Sequence, residues 1–247
     1  MPLTFPAHPA PVLALKMWRP RWCDGVALGT GAVAPDVVYL AAGPSGESFA
    51  DTHSWPALFW WCLPVALAYA AAFRFCADGI LAHLPGDRWF GWRGHGSVAR
   101  WPHRWWIAVS SALVGAASHL AWDWLTHTDN WLRVMFGLRW SDVTDIAWWT
   151  VSDLTSTVVG TGAAIVLAAR LGRRSIVGGT AAASVRRPVV FWVSAAVVAV
   201  AGLAVVPLLP GAAHLAPTVV RVLHVVGLAL LAGGLAARIR PAPRWAA

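Results

Sequence analysis

A chain of 247 residues that is 58% hydrophobic and 12% charged carries about half the charge of a soluble domain, for which roughly 25% is usual. With a mean hydropathy of +0.59, this excludes an ordinary water-soluble protein in favour of an integral membrane one. The net charge of +8 is not a nucleic-acid footprint. All of the 19 basic residues except Lys16 are arginines, and they cluster in short loops between apolar runs, as the positive-inside rule requires. No nucleic-acid partner is expected.

In chain order, the opening "MPLTFPAHPAP" is proline-rich and lacks a charged-then-apolar pattern, so no cleaved leader is expected. Residues 22–42 are apolar but interrupted by Asp24, Gly25, Gly29, Gly31, Pro35 and Asp36, and read as a helix pair or half-inserted hairpin. Five later stretches approach the ~20 apolar residues that a bilayer crossing needs: 57–75, 105–126, 150–170, 189–209 and 217–237. The expected fold is all-α, a polytopic membrane helical bundle of about five transmembrane helices plus the half-inserted N-terminal segment. Tryptophans 55, 60, 61, 101, 105, 106, 122, 124 and 131 fall near span ends, the headgroup level that indoles prefer. Cys23, Cys62 and Cys76 form no C-x-x-C pair and read as small apolar filler. The arginine-rich, Ala/Gly/Val-rich composition points to a GC-rich bacterial source.

Arginine placement orients the chain. Residues 84–104 hold Arg88, Arg93, Arg100 and Arg104; residues 170–187 hold Arg170, Arg173, Arg174, Arg186 and Arg187; the tail holds Arg238, Arg240 and Arg244. The alternate connections, 127–149 and 210–216, are poorer in arginine. A multi-pass protein of the bacterial cytoplasmic (inner) membrane follows, with these basic loops and the C-terminus cytoplasmic and the region before residue 57 facing outward.

Within the second span, "SHLAWDWLTHTDNW" carries His119, Asp123 and His127 at strides of four, hence on one helical face. The rise of about 1.5 Å per residue separates neighbours by about 6 Å and the two histidines by about 12 Å. His119 and Asp123 can therefore share one metal ion, whereas His127 would serve a neighbouring ion or the substrate. An ionisable group inside a bilayer costs roughly 2.5–3.5 kcal/mol on insertion scales, so the stripe is functional by default; a proton relay or a structural polar seam remain alternatives. The orientation places Asp36 in "GAVAPDVVYL" and His53 in "DTHSWPALF" at the same face, and His8 as well if segment 22–42 does not cross. Asp36 alone would also suit a helix cap after Pro35, and His53-Ser54 the start of the next helix.

The order "LTFPAHPA", "G-x-x-A-P-D", "T-H-S-W-P", "H-x-x-W-D-x-x-T-H" resembles an uncharacterised bacterial membrane family, domain of unknown function 4184, over most of residues 1–170. More distantly it is similar to membrane-bound metal-dependent hydrolases and α-helical zinc-dependent phospholipases C. The resemblance implies His8, Asp36, His53, His119 and Asp123 as metal ligands, with His127 on a neighbouring ion. It departs where those phospholipases carry a later H-x-x-x-E pair: here "VSDLTSTVVG" offers Ser152 and Ser156 with Asp153 between, and Glu47 is the only glutamate. One ion, or at most two, is what the residues support. The chain divides on this reading into a metal-site domain, 1–170, and a C-terminal pair of spans, 171–247.

The function expected is a metal-dependent hydrolase embedded in the membrane, acting at the outer face on a lipid-like or phosphoester substrate. Asp36 or Asp123 would serve as catalytic base or ion bridge, and a divalent ion as cofactor, zinc foremost with manganese or iron as alternatives. Asp129 and Asp153 are candidates to orient histidine nitrogens. Arg221 and His224 would anchor a phosphate, unless Arg221 snorkels to the interface; Arg74 and Asp78 read as an ion pair. Membrane lipids are the expected partners. The alternative is a non-enzymatic permease, ion- or proton-coupled, or a scaffold, motivated by the broken segment 22–42.

Overall fold

The computed structural model describes residues 5–99, 103–175 and 187–238. Arg100, Arg186, Arg240 and Arg244 lie outside the described residues, as does the side chain of Arg93. Among the described residues every regular element is helical: α1 (Pro9–Trp18), α2 (Gly25–Gly31), α3 (Leu63–His83), α4 (Asp87–Phe90), α5 (Trp92–Ala99), α6 (Trp105–His127), α7 (Asn130–Phe136), α8 (Trp148–Thr155), α9 (Thr161–Ser175), α10 (Pro188–Val205) and α11 (Leu215–Arg238). Leu58–Cys62 forms a π-helical entry to α3, and Ser156–Gly160 a π-helical joint that makes α8 and α9 one continuous rod.

Four of these rods are long and apolar enough to cross a membrane: Leu58–His83, Trp148–Arg174, Pro188–Leu208 and Leu215–Arg238. The fifth expected span, α6, has 23 residues and is long enough. It is not among the four because Ser110, Ser111, Ser118, His119 and Asp123 dilute its apolarity. Segment 22–42 is a pair of short helices, α2 and a 3-10 helix at Pro35–Ala41, of seven residues each. Neither spans a bilayer, and both pack inside the bundle, α2 on α6 and α3 and the 3-10 helix on α11.

Contact between α2 and α6 is backbone against backbone. Ala108, Ala112 and Ala116 form one row on α6, and Ser111, Gly115 and His119 the next, all buried. A Cβ at Gly115 would overlap the carbonyl oxygen of Leu28, and one at Gly31 that of Ala112. Removing side chains from this face lets the helices approach as small-residue pairs do in membranes. Asp24 caps α2, its Oδ1 accepting from the Val26 and Ala27 amides at 3.1 and 3.0 Å. Its carboxylate also receives Arg74 of α3. Arg74 therefore reaches across to α2, where the sequence spacing had paired it with Asp78.

Lys16, His83 and His95 find backbone partners. Lys16 Nζ donates to the Pro20 and Cys23 carbonyls, both at 2.7 Å. His83 bridges the Gly79 carbonyl and the Arg187 amide, and His95 faces the Ala168 carbonyl. Cys23, Cys62 and Cys76 are free and buried. Along the rods, α3 begins and α6 ends at the extremity of the bundle where α11 starts. Arg88, Arg104, Arg170, Arg173, Arg174, Arg187 and Arg238 gather toward the opposite one, where Arg173 donates to the Trp89 carbonyl.

Substituting Gly115→Leu is expected to overpack the α2–α6 contact and lower stability by about 1–3 kcal/mol or prevent folding. Gly29→Ala, where an added Cβ meets nothing within 4 Å, is expected to be neutral or to stabilise by up to about 1 kcal/mol. Thermal unfolding of both variants in detergent checks the contrast; equal behaviour contradicts the packing described.

Candidate functional site

The α2–α6 contact decides where the second-span histidine meets the N-terminal third. With Gly115 against Leu28, the next turn of α6 brings His119 under the frayed end of α2, and its Nδ1 lies 2.8 Å from the Ala32 carbonyl. Pro35, at the first position of the following 3-10 helix, turns the chain so that Asp36 faces the same point. His8 is seated by Ala7, which packs on Gly160 in the π-helical joint. His53 arrives from the loop before α3.

These groups converge. His119 Nε2 lies 3.2 Å from Asp123 Oδ2 and 3.7 Å from Asp36 Oδ1. His53 Nε2 lies 3.2 Å from Asp36 Oδ1 and 3.6 Å from Asp123 Oδ2. His8 Nε2 and His127 Nε2 approach Asp123 Oδ1 at 3.4 and 3.7 Å, and His127 Nε2 is 3.6 Å from Asp153 Oδ1. Burial is graded: His8 and His119 are sealed at the floor, whereas the His53 and His127 side chains are each 31% exposed at the mouth.

Proton accounting shows what this arrangement lacks. A carbonyl only accepts, so the Ala32 contact keeps a proton on His119 Nδ1, and Nε2 is the atom left to face Asp123 and Asp36. The single hydroxyl proton of buried Thr52 goes to the Pro35 carbonyl at 2.9 Å, so Thr52 Oγ accepts from His53 Nδ1 at 3.2 Å. His53 Nε2 is likewise left to face the carboxylates, within hydrogen-bond distance of Asp36 Oδ1 at 3.2 Å. Lone pairs of imidazole and carboxylate repel unless a proton or a cation stands between them. The buried atoms His119 Nε2, Asp123 Oδ1, His127 Nε2 and Asp153 Oδ1 make no hydrogen bond among the described residues.

Burial foremost, with His119 beside it, pushes the His8 imidazole down to about 3 against the pull of Asp123 and Asp36, so this ring stays neutral. It stacks on His119 with ring centroids 3.7 Å apart. Two triads have one ligand atom per residue mutually within 4.8 Å: His8, Asp36, His119 and His53, His119, Asp123. With Nδ1 committed, His119 has one lone pair to give, so an ion held by either triad is the same ion. Divalent-ion bonds to nitrogen near 2.0–2.1 Å place ligand atoms up to about 4 Å apart, so only a small closure is needed.

Asp153 joins the cluster through His127, as the sequence spacing allowed. Asp129 does not: its backbone carbonyl begins α7, and its carboxylate makes no hydrogen bond or ion pair among the described residues. Arg221 neither snorkels nor faces the cluster. It is buried and donates to the Leu40, Pro210 and Ala42 carbonyls at 3.2, 2.7 and 3.2 Å, tying α11 to the end of the 3-10 helix. His224 turns its Nδ1 to the Val220 carbonyl at 2.7 Å and its ring to Tyr69. Ser152 and Ser156 brace α8 to α6: Ser152 donates to the Thr126 carbonyl, and Ser156 accepts from Trp122 Nε1 at 2.7 Å.

Tyr39 was not singled out from the sequence. A 3-10 helix has three residues per turn, so Tyr39 eclipses Asp36, and the D-x-x-Y spacing after Pro35 was the available signal. Burial foremost, then Asp36 and Asp123, push its phenol up to about 12, so it keeps its proton as a donor. Tyr39 and the cluster open into a cavity of about 720 Å³, walled by Phe5, Leu120, Ala121, Trp124, Ala216, Val219 and Val220.

In protein labelled with ¹⁵N-histidine, His119 and His53 are expected to show the Nδ1–H tautomer. Thr52→Val is expected to release that preference at His53 alone. An Nε2–H tautomer at His119 contradicts the proton accounting.

No curated protein and no solved structure matches this chain. A family model described as a domain of unknown function, DUF4184, matches residues 1–239. The match takes in the N-terminal histidine, the α2–α6 contact, the cluster and both C-terminal rods, and the chain belongs to the DUF4184 family.

Proposed function

We propose that this protein is a membrane-embedded hydrolase that holds a divalent metal ion, zinc foremost with manganese or iron as alternatives, and acts on a lipid-like or phosphoester substrate. One observation carries the reading: imidazole nitrogens whose protons are tied up behind them face two carboxylates inside an apolar bundle. His8, Asp36, His53, His119 and Asp123 are the ligands on this reading. The Ala32 carbonyl and Thr52 fix the rings from behind, as partners of metal-bound histidines do. A divalent ion there would lower the pKa of a water toward about 7 and polarise a carbonyl or phosphoryl oxygen.

The chain's own groups supply the rest. Asp123 Oδ1, 3.7 Å from His127 Nε2, would take a proton from that water. His127, between Asp123 and Asp153 and partly exposed, would pass the proton outward. Tyr39 would donate a hydrogen bond to the substrate. The cluster sits at the arginine-poor end of the bundle, which supports the outer face of the bacterial cytoplasmic membrane, with the C-terminus cytoplasmic.

A second reading has its own observation. The Thr157 and Thr161 hydroxyls continue from Asp153 at strides of four and make no hydrogen bond among the described residues, so a polar track runs into the span. This favours a proton- or ion-coupled permease, and uptake into proteoliposomes that survives strong chelation would decide for it.

Metal analysis of protein purified without chelator tests the first reading. About one equivalent is expected, lost in His119→Ala and Asp123→Ala with helicity retained. Thr52→Val is expected to weaken binding about 10–100-fold. Absence of metal, or content unaffected by both alanine variants, contradicts the proposal.

A further inference from the structure

The cavity carries information about the substrate's charge and its route of entry. Its lining falls into two parts. The floor is the His and Asp cluster, and the walls are apolar, from Leu120, Ala121 and Trp124 on α6 and from Ala216, Val219 and Val220 on α11. These two helices are joined through α3 and do not pack along one another. The wall positions on α6 lie three to seven residues before the helix ends at His127, about 5–10 Å along its axis. Those on α11 fall within about two turns of its start at Leu215. The gap is therefore at the depth where headgroups meet acyl chains, and Trp124, at its edge, is 50% exposed.

Charge inside the cavity is the second constraint. Among the described residues that line it, none is lysine or arginine. The closest candidate in the sequence, Arg221, has its guanidinium engaged by three backbone carbonyls. Asp36 and Asp123 together contribute two negative charges, and one divalent ion balances them. A phosphomonoester would add about −1.5 to −2 with no lysine or arginine in the lining to offset it, in a setting where uncompensated charge is expensive. An acyl carbonyl adds none.

We infer that the site takes a neutral acyl ester or amide whose apolar chain enters sideways from the lipid between α6 and α11, in preference to a phosphate-bearing substrate. The inference rests on the hydrolase reading and narrows it. In the reaction, the water oxygen bonds to the acyl carbon and the bond from that carbon to the alkoxy oxygen or amide nitrogen breaks. One water proton ends on the leaving atom and the other on Asp123, and the acid departs as the carboxylate after that proton is passed to solvent. The alkyl chain stays against Leu120, Trp124 and Val219 throughout. A cavity of about 720 Å³ is within the range of about 300–1,000 Å³ typical of small-molecule sites.

Labelling in lipid nanodiscs tests this without relying on turnover. The native cysteines are buried, so Ala216→Cys supplies a thiol in the cavity wall, and Ala121→Cys supplies an independent one on the facing helix. The rate of N-ethylmaleimide labelling is measured with dodecanamide, dodecyl phosphate or acetamide. Dodecanamide is expected to slow labelling about tenfold at about ten times its Kd, while the other two at the same concentration leave it nearly unchanged. Val219→Trp, which fills the gap, is expected to abolish that protection. Protection by dodecyl phosphate equal to that by dodecanamide overturns the charge preference. Equal protection by acetamide overturns the chain-binding route, and no protection by any probe overturns both. Metal content of the same samples is read separately. The expected ranking in protein without metal supports the cavity's preference and sinks the hydrolase reading.

Discussion

The hydrogen bond from His119 Nδ1 to the Ala32 carbonyl is the joint on which the site turns. It exists because α6 offers α2 a face of alanine, serine and glycine, so that the carbonyl at the end of the short helix comes within reach of a ring on the long one. It also sets chemistry, since a proton held on Nδ1 leaves Nε2 as the atom that faces Asp123 and Asp36. Moving α2 by one turn would misplace Pro35 and Asp36 as well, so geometry and proton inventory share one cause.

Elsewhere in the bundle, charged and imidazole side chains find partners. Arg74 meets Asp24, Lys16 meets two carbonyls, Arg221 meets three, and His83 bridges a carbonyl and an amide. Each ionisable group in a membrane costs roughly 2.5–3.5 kcal/mol on insertion scales, and pairing offsets it. At the cluster, His119 Nε2, Asp123 Oδ1, His127 Nε2 and Asp153 Oδ1 are buried together and make no hydrogen bond among the described residues. On the proposed reading, a bound cation would sit between these groups and give the arrangement its purpose.

Much of this was legible in the residues. Strides of four put His119, Asp123 and His127 on one face, and arginine counts located the end of the bundle to which Asp36 and His53 belong. What periodicity could not supply was anything made by backbone atoms. The Ala32 carbonyl behind His119, the Pro35 carbonyl behind Thr52 and the three carbonyls that take up Arg221 have no signature in side-chain spacing. The reading of Arg221 and His224 as a phosphate anchor failed to anticipate them for that reason. Arg74, which i,i+4 spacing pairs with Asp78, has a partner that spacing along one helix does not show, Asp24 across the α2–α3 contact. The polar stripe that made α6 interesting is also what sets it apart from the four most hydrophobic rods.

The gathering of imidazoles and carboxylates around one ion is tested most directly by X-ray absorption spectroscopy of the metal in purified protein. The expected result is a first shell of nitrogen and oxygen only, near about 2.0–2.1 Å for zinc, with the outer-shell scattering of at least two imidazole rings. A sulfur shell near about 2.3 Å, or a metal without imidazole scattering, would contradict the account.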